Sequence, residues 1–568
     1  MTPLASAKNM LRLVAISFGL AQCAVARNAI EPDARSYIEV ARAYLHHDWA
    51  TAINAYWSPL YSWIVAFVLG ITNPSLRWEY PTLHLLNFFI FIVGIIAFEY
   101  FWAGLLRSVG SDDRIVEKEH GSRLPDLELW ILGYALFIWL TVGSVVQLLN
   151  PDLCVVVAGL FIAGTLVRLR KDDAPTRTYF WFGVALGIGY LCKGVLFPMA
   201  FVFLALAVVL RWRQLSRVAI SLLVFSSIAL PLILVLSHAK GHPTFGESGK
   251  LTFAWSNYDL PTIHWQGQPP GSGTPAHPLR KVFDNPAMFE FNGPVRSSYP
   301  PWYDPSYWNE GMSPGLRMGT VAKHFARNFT TILSFFFKPK VWLVVMLILG
   351  AGCRPRATLG GIAAFWYLIL PSAAALAAYS MTFAEFRYLP VWLLLVWGSV
   401  LRGIRLRNSF HKSGAGRYVS ILAAVALLAP MGYGIYGQGI HGRQDDARSQ
   451  YAIAERLREM GVSPGENVGA VGWDNDVHWA YLDRLTVVAE IETGDTCRFW
   501  EVPSSTQQEI LRKFADAGAD VIVVNADKEF KSTSRSGLID LGTCARPGPE
   551  WREIVGTTDL AYFLRQRR

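Results

Sequence analysis

For a chain of 568 residues this one carries little charge: Asp, Glu, Lys and Arg together make up 17%. It has six cysteines and no Cys or His at metal-ligand spacing, so nothing in it asks for a metal or other cofactor. It lacks a basic stripe interleaved with aromatics, so its net charge of +9 does not read as nucleic-acid binding. It also lacks a clear internal repeat, which counts against the paired halves of many transporters. What it has in abundance is apolar surface. Hydrophobic residues make up 52% of the chain and aromatics 13%, with a mean hydropathy of +0.28.

Apolar runs recur near the length needed to cross about 30 Å of hydrocarbon. They fall at 13–27, 82–106, 129–149, 153–168, 179–192, 194–210, 218–237, 328–350, 358–380, 385–401 and 418–436, with a shorter run at 59–72. A soluble enzyme of this size would show shorter runs, so the expected class is an α-helical polytopic membrane protein. Lys8 and Arg12 followed by an apolar run ending Ala24-Val25-Ala26 permit a cleaved signal peptide. An uncleaved first span is the preferred reading.

Charge parity gives a topology. Basic clusters lie at Arg168/Arg170/Lys171/Arg177, Arg211/Arg213/Arg217, Arg354/Arg356 and Arg402/Arg405/Arg407/Lys412/Arg417. With the spans above, all four share one side, which the positive-inside rule makes cytoplasmic. Lys8 and Arg12 want the same side. The mixed-charge loop 107–128 must then be cytoplasmic too, so the chain crosses an odd number of times between Asn28 and Arg107. Run 59–72 would make about 21 Å of helix, so it is the one expected to lie at the interface. The expectation is about 11 spans, an inner N-terminus and an outer C-terminal domain. A bacterial inner (plasma) membrane is the expected location.

The domains expected are a membrane domain over 1–436 and an extracytoplasmic α/β domain over 437–568. The membrane domain carries an outer juxtamembrane loop, 28–81, and a second outer loop, 238–327. Loop 238–327 is rich in Pro, Gly, Trp and Tyr, as in SSYPPWYDPSYWNEG, and reads as an irregular ordered cap. In the tail, YAIAERLREMG reads as an amphipathic helix, and NVGAVG, LTVVAEI and ADVIVVNAD read as short β-branched strands. The tail contains no G-x-x-x-x-G-K-[ST] and no G-x-G-x-x-G. Its Cys497 and Cys544 form a disulfide or stay as two thiols, depending on the compartment.

Polar residues near the span boundaries gather on the outer face. Asp33, in EPDARSYIEVARAYL, reads either as a general base or as the start of helix 34–45. In that helix Tyr37, Val40, Ala41 and Tyr44 share a face, which suits a membrane surface. Asp152, after Asn150-Pro151, reads as a second carboxylate or as a helix cap. Lys193 and Arg387 interrupt apolar runs where positive charge is otherwise sparse, and two such cations can neutralise a phosphate. The alternatives are snorkelling for Lys193 and pairing with Glu385 or Glu31 for Arg387.

These residues, in this order, resemble the C-type-fold membrane glycosyltransferases, in the branch of protein O-mannosyltransferases and lipid A aminoarabinose transferases. The matching elements are Asp33, the segment Trp57-Ser58-Pro59-Leu60-Tyr61-Ser62-Trp63, Pro151-Asp152, Lys193-Gly194 and Arg387-Tyr388-Leu389-Pro390. Ser58 with a single Pro59 stands where the family often has Pro-Pro. The resemblance implies a hexosyl- or pentosyltransferase that takes a sugar from a polyprenyl-phosphate donor to a lipid, glycan or protein acceptor. It implies Asp33 and Asp152 as catalytic carboxylates, and Lys193, Arg387, Tyr388, Tyr37 and Tyr61 as substrate-binding residues. It implies no cofactor or metal and no nucleic acid, with membrane lipid as a partner. The competing readings are a lipid or polysaccharide flippase and a non-catalytic envelope assembly protein.

Overall fold

A computed structural model describes residues 3–108, 122–336, 352–407, 415–441, 444–525, 531–534, 537–540 and 547–564, except 172, 259, 278, 292, 294, 314, 556 and 558, with a few positions between 338 and 347. Loop 107–128, the second half of the expected span 328–350 and Cys544 fall largely or wholly outside these residues. Two compact units emerge. The first comprises 1–27, 58–257 and 317–442; the second comprises 28–57, 258–316 and 443–568.

The first unit is helical. Among the described residues five helices are long and apolar enough to cross a membrane: Leu4–Ala26, Leu76–Arg107, Asp152–Leu169, Trp212–Lys240 and Ala415–Gly439. The expected run 358–380 becomes two helices, Pro355–Ala363 and Trp366–Met381, bent by 75° at their junction. Pro59–Thr72, Leu196–Leu210 and Pro390–Gly403 are apolar but shorter. Many of the large side chains left exposed in this unit, such as Phe67, Phe89, Trp181 and Leu223, are apolar. That surface suits lipid rather than water. The unit is therefore membrane-integral by composition and helix length.

Contact between these helices depends on small residues. Gly183 and Gly187 lie four apart on helix Thr176–Cys192. A Cβ on Gly183 would meet the Ser221 carbonyl oxygen at 2.5 Å, and one on Gly187 would meet Ile228 Cβ at 2.7 Å. The two glycines thus let helix Leu215–Lys240 approach backbone to backbone, as small-x-x-x-small pairs do in membranes. A polar clamp joins the first long helix to the second, Leu76–Arg107. Arg12 meets both Glu99 oxygens at 2.6 Å, and the Tyr134 hydroxyl donates to the same carboxylate.

The second unit is α/β. Its seven-stranded sheet runs in the order Arg552–Glu553, Leu560–Phe563, Val521–Val524, Asn467–Val471, Thr486–Ile491, Met288–Phe291, Leu279–Phe283. The three central strands are parallel and the outer pairings antiparallel. The β-branched runs of the tail make the centre, where all four residues of Val521–Val524 are buried. Helix Ser504–Asp516 covers one face through Ile510, Leu511 and Phe514. Gly469 is required there, because a Cβ would sit 2.4 Å from the Phe514 ring.

Two strands of this sheet come from loop 258–316. The loop is more regular than its composition suggests, and the tail does not complete the sheet alone. Cross-strand pairing of Met288 with Ile491 decides this, a contact just over two hundred residues apart in sequence. Cys497 is disulfide-bonded.

Helix Pro32–Leu45 also belongs to this unit. Ser36 Oγ donates to the Trp302 carbonyl at 3.1 Å, Glu39 accepts the Ser298 N–H at 2.7 Å, and Arg42 Nε donates to the Tyr481 hydroxyl at 3.2 Å. Ala34, Ser36, Tyr37, Ile38, Val40 and Ala41 are all buried. The surface-lying reading of this helix is therefore corrected: it is held by protein on more than one face.

Candidate active site

Asp152 is the first residue of helix Asp152–Leu169. The turn before it is set by Asn150, whose Oδ1 accepts the Asp152 N–H at 3.0 Å, and by Pro151 at the N-cap. The Asp152 carboxylate is 3% exposed and turns to a cation: Lys193 Nζ donates to its Oδ1 at 2.5 Å. Asp152 is thus the counter-ion of Lys193 rather than a cap.

Lys193 is where helix Thr176–Cys192 stops. Its backbone is extended at φ −159°, and helix Leu196–Leu210 begins three residues later. Its ammonium is about a quarter exposed. It lies on Asp152 and 4.0 Å from the centre of the Tyr388 ring.

Arg387 sits in the 3-10 turn Phe386–Tyr388, just before Pro390 opens helix Pro390–Gly403. It bonds Glu385, donates through Nη2 to the Tyr388 hydroxyl at 3.0 Å, and holds Nε 3.8 Å from Asp152 Oδ2. The pairing with Glu385 weighed from sequence is present. Tyr379, which sequence reasoning passed over, stacks on Tyr388 with ring centres 5.3 Å apart. No local signal on helix Trp366–Met381 marks it.

Four of the singled-out residues therefore meet: Asp152, Lys193, Arg387 and Tyr388. Two cations and two carboxylates face one another at the ends of apolar helices. Buried charge of this kind is expensive unless paired, and here it is paired. Tyr61 lies in the same unit, is fully buried and donates to Asn87 Oδ1 at 3.0 Å. Asp33 and Tyr37 belong to the second unit. Tyr37 is buried edge-on against Trp57, with ring centres 5.1 Å apart. Asp33 is half-buried in the first turn of helix Pro32–Leu45, whose N-cap is Glu31.

An apolar groove of about 1050 Å³ starts close in sequence to this cluster. Cys154, two residues after Asp152, and Cys192, the neighbour of Lys193, both line it. Its walls include Leu60, Val93, Phe161 and Ile188.

The second unit holds a polar cluster that the sequence reading missed. His264 Nε2 meets Glu490 at 2.6 Å, and its Nδ1 meets Glu492. The Tyr299 hydroxyl reaches both Glu490 oxygens, at 2.8 and 2.9 Å. Burial pulls the His264 pKa down, but the two carboxylates outweigh it and raise it to about 10. The imidazole is therefore a cation at neutral pH. The available signal was a glutamate inside the β-branched run LTVVAEI, since a strand buried on both faces seldom carries one without a partner.

Among the described residues no group of three or more His, Cys, Asp or Glu side chains could hold a metal ion. No family model matches the chain, and no curated protein matches it. Among solved structures it is similar to ArnT from Cupriavidus metallidurans, a crystal structure bound to undecaprenyl phosphate. Identity is 12% and the TM-score 0.48, over 91% of this chain and 92% of that one. It is also similar to the archaeal oligosaccharyltransferase AglB from Archaeoglobus fulgidus, in complex with an inhibitory peptide and a dolichol-phosphate. There identity is 12% and the TM-score 0.44, over 91% of this chain and 70% of that one.

Proposed function

We propose that this chain is a membrane glycosyltransferase that moves a sugar from a polyprenyl-phosphate donor to an acceptor on the extracytoplasmic face. The observation that carries the reading is the Asp152–Lys193–Arg387–Tyr388 cluster, which stands at helix ends in an apolar unit and next in sequence to a groove of lipid character. Two cations held in place by a buried carboxylate suit a phosphate whose attached chain is apolar.

In this reading the donor phosphate lies at Lys193 and Arg387. The acceptor oxygen or nitrogen attacks the anomeric carbon opposite the phosphate, and its proton passes to Asp33. The bond from that carbon to the phosphate oxygen breaks, and its electron pair stays on the phosphate. Negative charge develops there, so the two cations stabilise the transition state more than the ground state. Attack from the opposite side inverts the anomeric centre.

Asp152 takes a different part from the one its motif suggests. A carboxylate already accepting from Lys193 is a poor base, so Asp152 positions Lys193 and does not remove a proton. Glu385, 36% exposed, is the partner that an arriving phosphate would displace from Arg387.

The test is transfer of radiolabelled sugar from polyprenyl phosphate in membranes containing this chain. Full activity in Asp33→Asn would remove Asp33 as base. Unchanged donor use in Lys193→Ala and Arg387→Ala would remove the phosphate site. Movement of the lipid across the bilayer with no covalent product would replace this reading with a flippase.

A further inference from the structure

The groove has a second end, and its chemistry is different. There its described lining includes Arg168, Lys171 and Arg177, with Asp173 as the one carboxylate among the described residues. Thr165, Thr178 and Tyr100 add hydroxyls. We propose that this end binds the headgroup of an anionic phospholipid, with an acyl chain of that lipid lying in the groove.

Two observations separate this from ordinary basic flanking of a span. The first is that Arg168 is built in. Its Nη1 donates to the Gly164 carbonyl at 2.7 Å, its Nη2 donates to the Tyr100 carbonyl at 2.8 Å, and its guanidinium lies 3.5 Å from the centre of the Tyr100 ring. A flanking arginine in water has no such fixing. Gly104 makes room for it, because a Cβ there would meet Arg168 Nη1 at 2.7 Å. The second is continuity. The cations line the same cavity as Val93, Val157, Phe161 and Trp181, so charge and apolar wall belong to one site.

Length and charge select the occupant. From Cys154 to Arg168 helix Asp152–Leu169 runs about 21 Å along the groove, more than one leaflet's half of the roughly 30 Å hydrocarbon. A tail entering from the Arg168 side is accommodated without reaching Lys193. Among the described lining residues three cations stand against one carboxylate, a balance that favours a headgroup with net negative charge over a zwitterionic one.

The experiment uses the full-length chain, delipidated in neutral detergent and titrated with phosphatidylglycerol, phosphatidylcholine or inorganic phosphate. Bound lipid is counted by native mass spectrometry, and stabilisation is read from thermal unfolding. Phosphatidylglycerol is expected to bind about tenfold or more tighter than phosphatidylcholine, and phosphate alone to have no effect. Lys171→Gln with Arg177→Gln, both exposed positions, should weaken phosphatidylglycerol by about 25-fold, near fivefold per cation. Val157→Trp, which fills the groove and keeps the cations, should weaken it as well. Equal binding of the two lipids, stabilisation by phosphate alone, or an unchanged phosphatidylglycerol affinity in either variant overturns the proposal.

Discussion

Lys193 and Asp152 form an ion pair at 2.5 Å that ties the end of helix Thr176–Cys192 to the start of helix Asp152–Leu169. The carboxylate is nearly inaccessible and the ammonium about a quarter exposed. Removing Asp152 leaves Lys193 without its counter-ion; removing both leaves Arg387 still paired with Glu385. Asp152→Asn is therefore expected to cost about 2 kcal/mol, less than a fully buried pair because Lys193 reaches some solvent. The double change Asp152→Leu with Lys193→Met should recover most of that stability while sugar transfer stays lost. Thermal unfolding in detergent, run beside the radiolabel assay, checks both halves. Recovery of transfer along with stability would show that the pair is structural only.

Asp33→Asn keeps size and hydrogen-bonding capacity but removes the base. Transfer should fall by about 10² to 10⁴ in kcat with donor KM nearly constant. Stability should change by no more than about 1 kcal/mol, the worth of an acidic residue in a first helical turn. Steady-state kinetics over donor concentration makes the distinction. A rise in KM alone would place Asp33 in binding.

Glu385 competes with the donor phosphate for Arg387. Glu385→Gln is expected to lower donor KM severalfold, in keeping with about 1 kcal/mol for a partly exposed ion pair. The same kinetic measurement decides it, and an unchanged or raised KM would mean that Arg387 does not take the phosphate.

His264 gives the second unit a pH dependence with a definite sign. Its folded pKa, about 10, lies above its ordinary 6.5, so the folded state holds a proton that the unfolded state has lost at intermediate pH. The stabilisation is complete below about pH 6.5, declines as pH rises, and is gone once pH passes about 10. Thermal unfolding of the full chain from pH 6 to beyond 10 should show a falling midpoint for the α/β unit. His264→Gln should flatten that slope, and a slope left intact would assign it to other groups.

Gly183→Val tests the close helix approach. The added Cβ meets the Ser221 carbonyl oxygen, a backbone atom that cannot swing aside, so a loss of about 1–3 kcal/mol is expected. Gly360→Ala, with no heavy atom within 4 Å of its Cβ, is the control and should be near neutral. Equal stability of the two variants would remove the argument.

Composition and apolar run length by themselves determined that this is a helical membrane protein, because hydrocarbon leaves a chain few other solutions. Local pattern also located the strands of the tail at 467–471, 486–491 and 521–524 and the breaks at Pro151 and Lys193, since β-branching and Pro or Gly chemistry act over a few residues. Pairing over long distances was not legible. Nothing near Phe291 says that it will join a sheet with residues near 490, and nothing near Tyr379 says that it will stack on Tyr388. Lys193 and Arg387 could be read from sequence as two spare cations, but only tertiary structure decided that Asp152 lies between them and that Tyr61 is spoken for by Asn87. The reason is physical. Propensity and hydropathy belong to neighbours along the chain, whereas the partner of a buried charge is whichever group the packed helices bring within a few ångströms.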